Sequence, residues 1–108
     1  MTKGNASVAI RNTAQGLIAE LRGEIDHHSA RILREKIDRA LYEYTPRVLT
    51  LRMQHVTFMD SAGLGLILGR VTTAESLNCT VQLADMSDRV RKILTLAGVC
   101  RINNLVVL

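Results

Sequence analysis

The chain has 108 residues, 47% of them hydrophobic and 22% charged, a balance that suits one globular domain over 1–108 and excludes a disordered, collagen-like or mucin-like chain. Aromatic residues are only 3% and Trp is absent, so the core must come from Leu, Ile, Val and Ala, and stacking platforms for single-stranded nucleic acid are nearly missing. The net charge of +4 reads as solubility, because no basic helix, finger or aromatic strand motif accompanies it, and no direct contact with nucleic acid is expected.

Alternating residues from Ala6 to Arg11 and from Gly16 to Arg22, joined by Asn12-Thr13-Ala14-Gln15, predict an N-terminal hairpin. The period then changes. Ala30, Leu33, Ile37, Ala40, Leu41 and Tyr44 recur at three- and four-residue steps, the mark of an amphipathic helix starting at Asp26 as N-cap and ending before Pro46. Arg47 to Met53 puts Leu49, Leu51 and Met53 on one side of a strand. A second helix opens at Asp60-Ser61 and runs to about Leu77, with Leu64, Ile67, Leu68 and Val71 as its expected core face. Cys79 to Ala84 reads as a strand. Ser87-Asp88 caps a third helix with Val90, Ile93, Leu94 and Ala97 on one face and Gly98 as its stop, and Leu105 to Leu108 forms a last short strand. The order is that of an α/β layer with a mixed sheet and crossover helices.

No apolar run approaches the roughly 18 residues of a membrane span, and Met1-Thr2-Lys3-Gly4-Asn5 leads into no signal-type stretch. A cytoplasmic protein without membrane contact is expected. Cys79 and Cys100 form no Cys-x-x-Cys pair, which fits a reducing compartment, and both are expected to be buried. His27 and His28 are neighbours that diverge by about 100° on a helix, unlike the i, i+4 pair of a zinc site, so no metal and no cofactor is expected.

Ser61 carries the main chemical interest. It lies where a loop enters a helix, so its hydroxyl sits beside unsatisfied backbone N–H groups and the positive end of the helix dipole, although Asp60 and Ser61 are also ordinary capping residues. Gly63, Gly65 and Gly69 fall within the same helix, where an interior glycine costs up to about 1 kcal/mol relative to Ala. Gly65 and Gly69 share a face with Ala62, and Leu66 lies beside them. This predicts a small, apolar surface next to Ser61, for docking a partner or for packing against a neighbouring helix. Asp26 is a helix cap, and Arg70 is expected at a solvated position or facing an acidic partner.

Two segments then acquire a joint meaning. Gly23-Glu24-Ile25-Asp26-His27-His28-Ser29-Ala30, continuing through Leu33-Arg34-Glu35-Lys36-Ile37-Asp38, and Phe58-Met59-Asp60-Ser61-Ala62-Gly63-Leu64-Gly65 with Ile67-Leu68-Gly69-Arg70, closely resemble the anti-anti-sigma factors of the STAS domain family. The resemblance covers nearly the whole chain and is strongest to the sporulation branch, the antagonists of anti-sigma F factors. It implies a STAS fold, with a mixed sheet of four to five strands and helices mainly on one face. It also implies a switch protein rather than an enzyme. The unphosphorylated form would bind an anti-sigma factor that is a serine kinase and free the sigma factor. Phosphorylation at Ser61 would abolish binding, and a serine phosphatase would restore it.

Under this resemblance Asp26 gains a second role, contact with the kinase, beside Asp60, Ala62, Gly63, Gly65, Leu66 and Gly69 as the expected docking surface. Where family members often carry a second hydroxyl, this chain has Ala62, leaving Ser61 as the acceptor. The free protein is expected to be a monomer. The charge argument agrees: a phosphate of about −1.5 to −2 charges is tolerated at a helix N-terminus yet repelled by Asp60 and penalised inside an apolar interface. Three other readings are open to the sequence. One is a STAS module of a general-stress or other partner-switching pathway with a different kinase. Another is a hydrolase using Ser61 with His55 or His28, although Asp-Ser-Ala-Gly is not a nucleophile elbow. The last is a nucleic-acid module, suggested by the basic charge alone.

Overall fold

In the computed structural model, which describes residues 6–108, two changes of hydrophobic period divide the chain into strands and helices. Met1 to Asn5, over which no signal-type segment is expected, lie outside the described residues. The period-two stretches form β1 (Ser7–Thr13) and β2 (Gly16–Ile25), and the first helical stretch forms α1 (His27–Tyr44). There follow β3 (Val48–Met59), α2 (Ser61–Ser76), β4 (Thr80–Ala84), α3 (Asp88–Leu96), a 3-10 turn (Val99–Arg101) and β5 (Leu105–Val107).

The strands make one mixed sheet in the order β1-β2-β3-β4-β5. The β1–β2 pair is antiparallel, and every later pair is parallel, as crossover helices require. Register stacks one apolar layer across the sheet: Leu17 pairs with Leu49 and Ala19 with Leu51, while Leu49 pairs with Val81 and Leu51 with Leu83. Leu33, Ile37 and Leu41 of α1, Ile67, Val71 and Ala74 of α2, and Val90 and Leu94 of α3 close over this layer in a single cluster. The opposite side of the sheet stays open and polar. There the Thr50 hydroxyl donates to Gln82 Oε1 at 3.2 Å, and Arg52 pairs with Asp85 at 3.1 Å.

Several element ends differ from the sequence reading. β2 continues to Ile25 and β3 to Met59, beyond Arg22 and Met53, because register shifts between Glu20 and Arg22 and between Gly23 and Glu24 break the alternation that marks a strand. α3 stops at Leu96, leaving Ala97 exposed as its C-cap, and Gly98 at φ 79° turns the chain into the 3-10 segment that periodicity does not signal. Cys79 is buried but Cys100, on that segment, is exposed, since a three-residue turn presents only Val99 to the core. Tyr44 is 44% exposed in the last turn of α1, where it borders a shallow hollow with Val8 and Ile10 of β1. Among the described residues no helix is long and apolar enough to cross a membrane.

Candidate functional site

β2 and β3 run parallel and finish together, Ile25 against Met59, and the Asp60 N–H donates to the Ile25 carbonyl at 3.4 Å. One residue beyond each strand stands an aspartate that caps the next helix. Asp26 closes a reciprocal capping box: its Oδ1 accepts from the Ser29 N–H at 3.0 Å, and its own N–H donates to Ser29 Oγ at 3.1 Å. The Ser29 N–H holds the Asp26 carboxyl below its ordinary pKa. Asp60 Oδ1 accepts from the N–H groups of Ala62 at 2.8 Å and Gly63 at 3.3 Å. Asp26 therefore serves its capping role in full.

Ser61 is the first residue of α2 and is exposed. The N–H groups of Ala62 and Gly63 at this helix tip are already engaged by the Asp60 carboxylate, so an anion carried on Ser61 finds the helix dipole but meets the carboxylate at those donors. His55, one of the possible bases for a hydrolase, stands on β3 with its Nε2 3.9 Å from Glu20. About 13 Å of strand separates it from Met59, too far to act on Ser61. Among the described residues no group of three or more His, Cys, Asp or Glu is arranged to hold a metal.

The rotation of α2 departs from the expectation. Its buried residues are Gly63, Leu66, Ile67, Arg70, Val71 and Ala74, whereas Leu64 and Leu68 are only partly buried. This helix is apolar nearly all round, so spacing alone does not select the face that meets the sheet; the position of β3 does. Leu66 is 5% exposed and belongs to the core, yet it also borders the groove between α1 and α2. Gly63 is buried for a packing reason: a Cβ there would overlap Met59 Cγ and stand 3.2 Å from Ile25 Cγ2. Gly65 and Gly69 are different. No atom beyond the neighbouring residues and the helix's own backbone lies within 4 Å of a Cβ built at either position, so the domain's own packing does not require them.

That contrast gives opposite expectations for one substitution. Gly63→Ala should destabilise the fold by about 1–3 kcal/mol through overpacking, while Gly65→Ala and Gly69→Ala should each stabilise it by up to about 1 kcal/mol through helix propensity. Urea unfolding midpoints of the three variants check this. A neutral Gly63→Ala would show that Met59 yields freely.

Gly65 and Gly69 border an open groove between α1 and α2, together with Ala62; the α1 side is formed by His27, Arg31 and Arg34. These three and Asp38 follow one stripe of α1 at steps of four, three and four residues. Arg70 closes the far end. It is only 5% exposed, and its Nε lies 2.8 Å from Asp38 Oδ1. The two atoms are close but not aligned as a hydrogen bond, so the contact is an ion pair. Burial pushes the Arg70 pKa down and Asp38 opposes that shift, leaving the guanidinium charged at neutral pH. Arg70 is thus neither solvated nor turned to an outside partner: its acidic partner is internal and ties α1 to α2. The sequence signal that could have revealed it is the polar stripe of α1 ending in Asp38.

Of the residues predicted to form the site, Asp26, Asp60, Ser61, Ala62, Gly65 and Gly69 gather around the paired helix starts and the groove. Gly63 lies beneath them in the packing, and Leu66, largely buried, still borders the groove. Sequence reasoning missed the basic wall of Arg31 and Arg34.

Residues 5–106 match the model of the STAS domain. The chain is 33% identical over 86 residues to the anti-sigma F factor antagonist of Lysinibacillus sphaericus, covering 80% of this chain and 74% of that one. Its fold is similar to the solved structure of the anti-sigma factor antagonist SpoIIAA in its unphosphorylated form, with a TM-score of 0.70 and 27% identity over 83% of each chain. It is also similar to the structure of the Bacillus cell fate determinant SpoIIAA in the phosphorylated form, with a TM-score of 0.73 and 26% identity over 94% of this chain and 91% of that one.

Proposed function

Because the chain belongs to the STAS domain family and, within it, to the anti-sigma factor antagonists, we propose that it is a phosphorylation-switched antagonist with Ser61 as the acceptor. The unmodified chain binds an anti-sigma factor that is also a serine kinase and so releases the sigma factor. The kinase phosphorylates Ser61 and lets go, and a serine phosphatase returns the chain to its binding form. The protein works in the cytoplasm as a regulator, monomeric when free, with no catalytic step of its own.

The observation that carries this reading is Ser61 itself: an exposed hydroxyl at the first position of α2, beside a groove edged by two glycines that the fold does not need. Glycines without an internal packing reason are explained by close approach of another chain, because a bare helix stripe admits a partner's backbone. Charge placed at that edge acts directly on docking. The likeness to a protein solved in phosphorylated and unphosphorylated forms supports the same site logic.

The test is incubation with an anti-sigma factor kinase of the anti-sigma F type and ATP, read by mass spectrometry of the intact chain and its peptides. One phosphate on Ser61, absent from Ser61→Ala, is expected. Modification at another residue, or of Ser61→Ala to the same extent, would overturn the assignment.

A further inference from the structure

The groove beside Ser61 carries more positive charge than its surroundings balance. Arg31, Arg34 and Arg70 line it, against Asp38 at 2.8 Å from Arg70 and the exposed Glu35 at 3.9 Å from Arg31. An ion pair as exposed as Arg31–Glu35 is screened and readily exchanged for a better anion. We propose that a phosphate on Ser61 folds back across the mouth of this groove onto the imidazole of His27 and the guanidinium of Arg31, so that the modified chain fills its own basic seat. The inference rests on the reading that Ser61 is the residue that carries phosphate.

Register places the two sides together. Ile25 and Met59 are paired neighbours on β2 and β3, and two residues beyond each come His27 and Ser61, each the first residue of its helix. Adjacent strands lie about 4.8 Å apart and packed helices about 8–10 Å, a gap that a phosphoserine and an imidazole or guanidinium can close from opposite sides. His27 borders the groove with Ala62 and Gly65, and Arg31 follows one turn on. On α2 the stripe running from Ser61 goes to Gly65 and Gly69, where even a Cβ would touch nothing, so the space into which the phosphate turns is free.

The alternatives open to that phosphate are poorer. Asp60 already accepts from the N–H groups of Ala62 and Gly63, which takes up two of the backbone donors at the helix tip. Asp60 and Asp26 repel an anion from the capping side, and His28 does not border the groove. The groove side, with His27, Arg31, Arg34 and Arg70 facing Asp38, is where the net charge favours it. Occupied in this way, the groove would present a partner with a filled and neutralised edge in place of an open basic one.

The test needs no kinase, because phosphoserine can be incorporated at position 61 during translation. In a 31P NMR titration the phosphate's second pKa, about 6 in free phosphoserine, is expected to fall by about half a unit or more, and the His27 ring signals should differ from those of the unmodified chain. His27→Gln with Arg31→Gln should return the phosphate to the value of an unstructured phosphoserine peptide, with the amide spectrum reporting that the fold is kept. A phosphate pKa equal to or above that of the peptide, or one lowered equally in the double variant, would overturn the clamp. Loss of the clamp leaves the kinase reading standing, and failure of the kinase to modify Ser61 leaves the titration result intact.

Discussion

Ser61→Ala is expected to hold the anti-sigma factor kinase whether or not ATP is present, while the phosphorylated chain binds it several hundredfold more weakly. Ser61→Asp should fall on the weak side as well. The direction follows from position: residue 61 is exposed at the start of α2, beside glycines available for close contact. A charge enclosed there loses water and stands next to Asp60. Enclosing that charge on docking, or withdrawing it from the basic groove, costs about 3–4 kcal/mol, which corresponds to that factor in affinity. Neither variant should unfold, since Ser61 is exposed and the Asp60 cap is left in place. Calorimetric titration of the kinase with each variant measures the difference. Equal affinities for Ser61→Ala and Ser61→Asp would reject the switch.

A second large effect is expected far from the acceptor. Asp38→Ala removes the counter-ion of a guanidinium whose side chain is only 6% exposed, and should cost about 2–4 kcal/mol of stability. Isolating a charge in a buried pair costs about 3–5 kcal/mol, and the lower range applies because the Asp38 side chain is 27% exposed and water screens part of the loss. The reverse single change, Arg70→Met, leaves a carboxylate that can turn to solvent and should cost much less. Asp38→Leu combined with Arg70→Met should recover most of the stability, as apolar replacements of buried pairs do. Urea unfolding of the four chains gives the cycle; equal losses from the two single changes would contradict the burial asymmetry.

The pair also bears on function, because it closes the groove that starts at His27 and Ala62. α1 and α2 each carry one of its charges, so the spacing between the helices depends on both. Weakening the pair would loosen the edge along which a partner is proposed to dock.

The sequence alone determined the element order, the mixed α/β layer and both aspartate caps. These are local: alternation in β3 needs only Leu49, Leu51 and Met53, and a cap needs only a short polar side chain before a helical period. The same is true of Ser61 at the start of α2, since the Asp-Ser pair and the glycines after it are contiguous. Tertiary structure decided what depends on which surfaces meet. α2 is apolar on nearly every side, so only the sheet beneath it separates buried Gly63 and Leu66 from open Gly65, and only packing against α1 turns Arg70 inward to Asp38. The basic wall of Arg31 and Arg34 likewise became a feature when α1 was laid beside a bare stripe of α2. A charge has a partner only through distance, and distances between helices are not written in the period of either one.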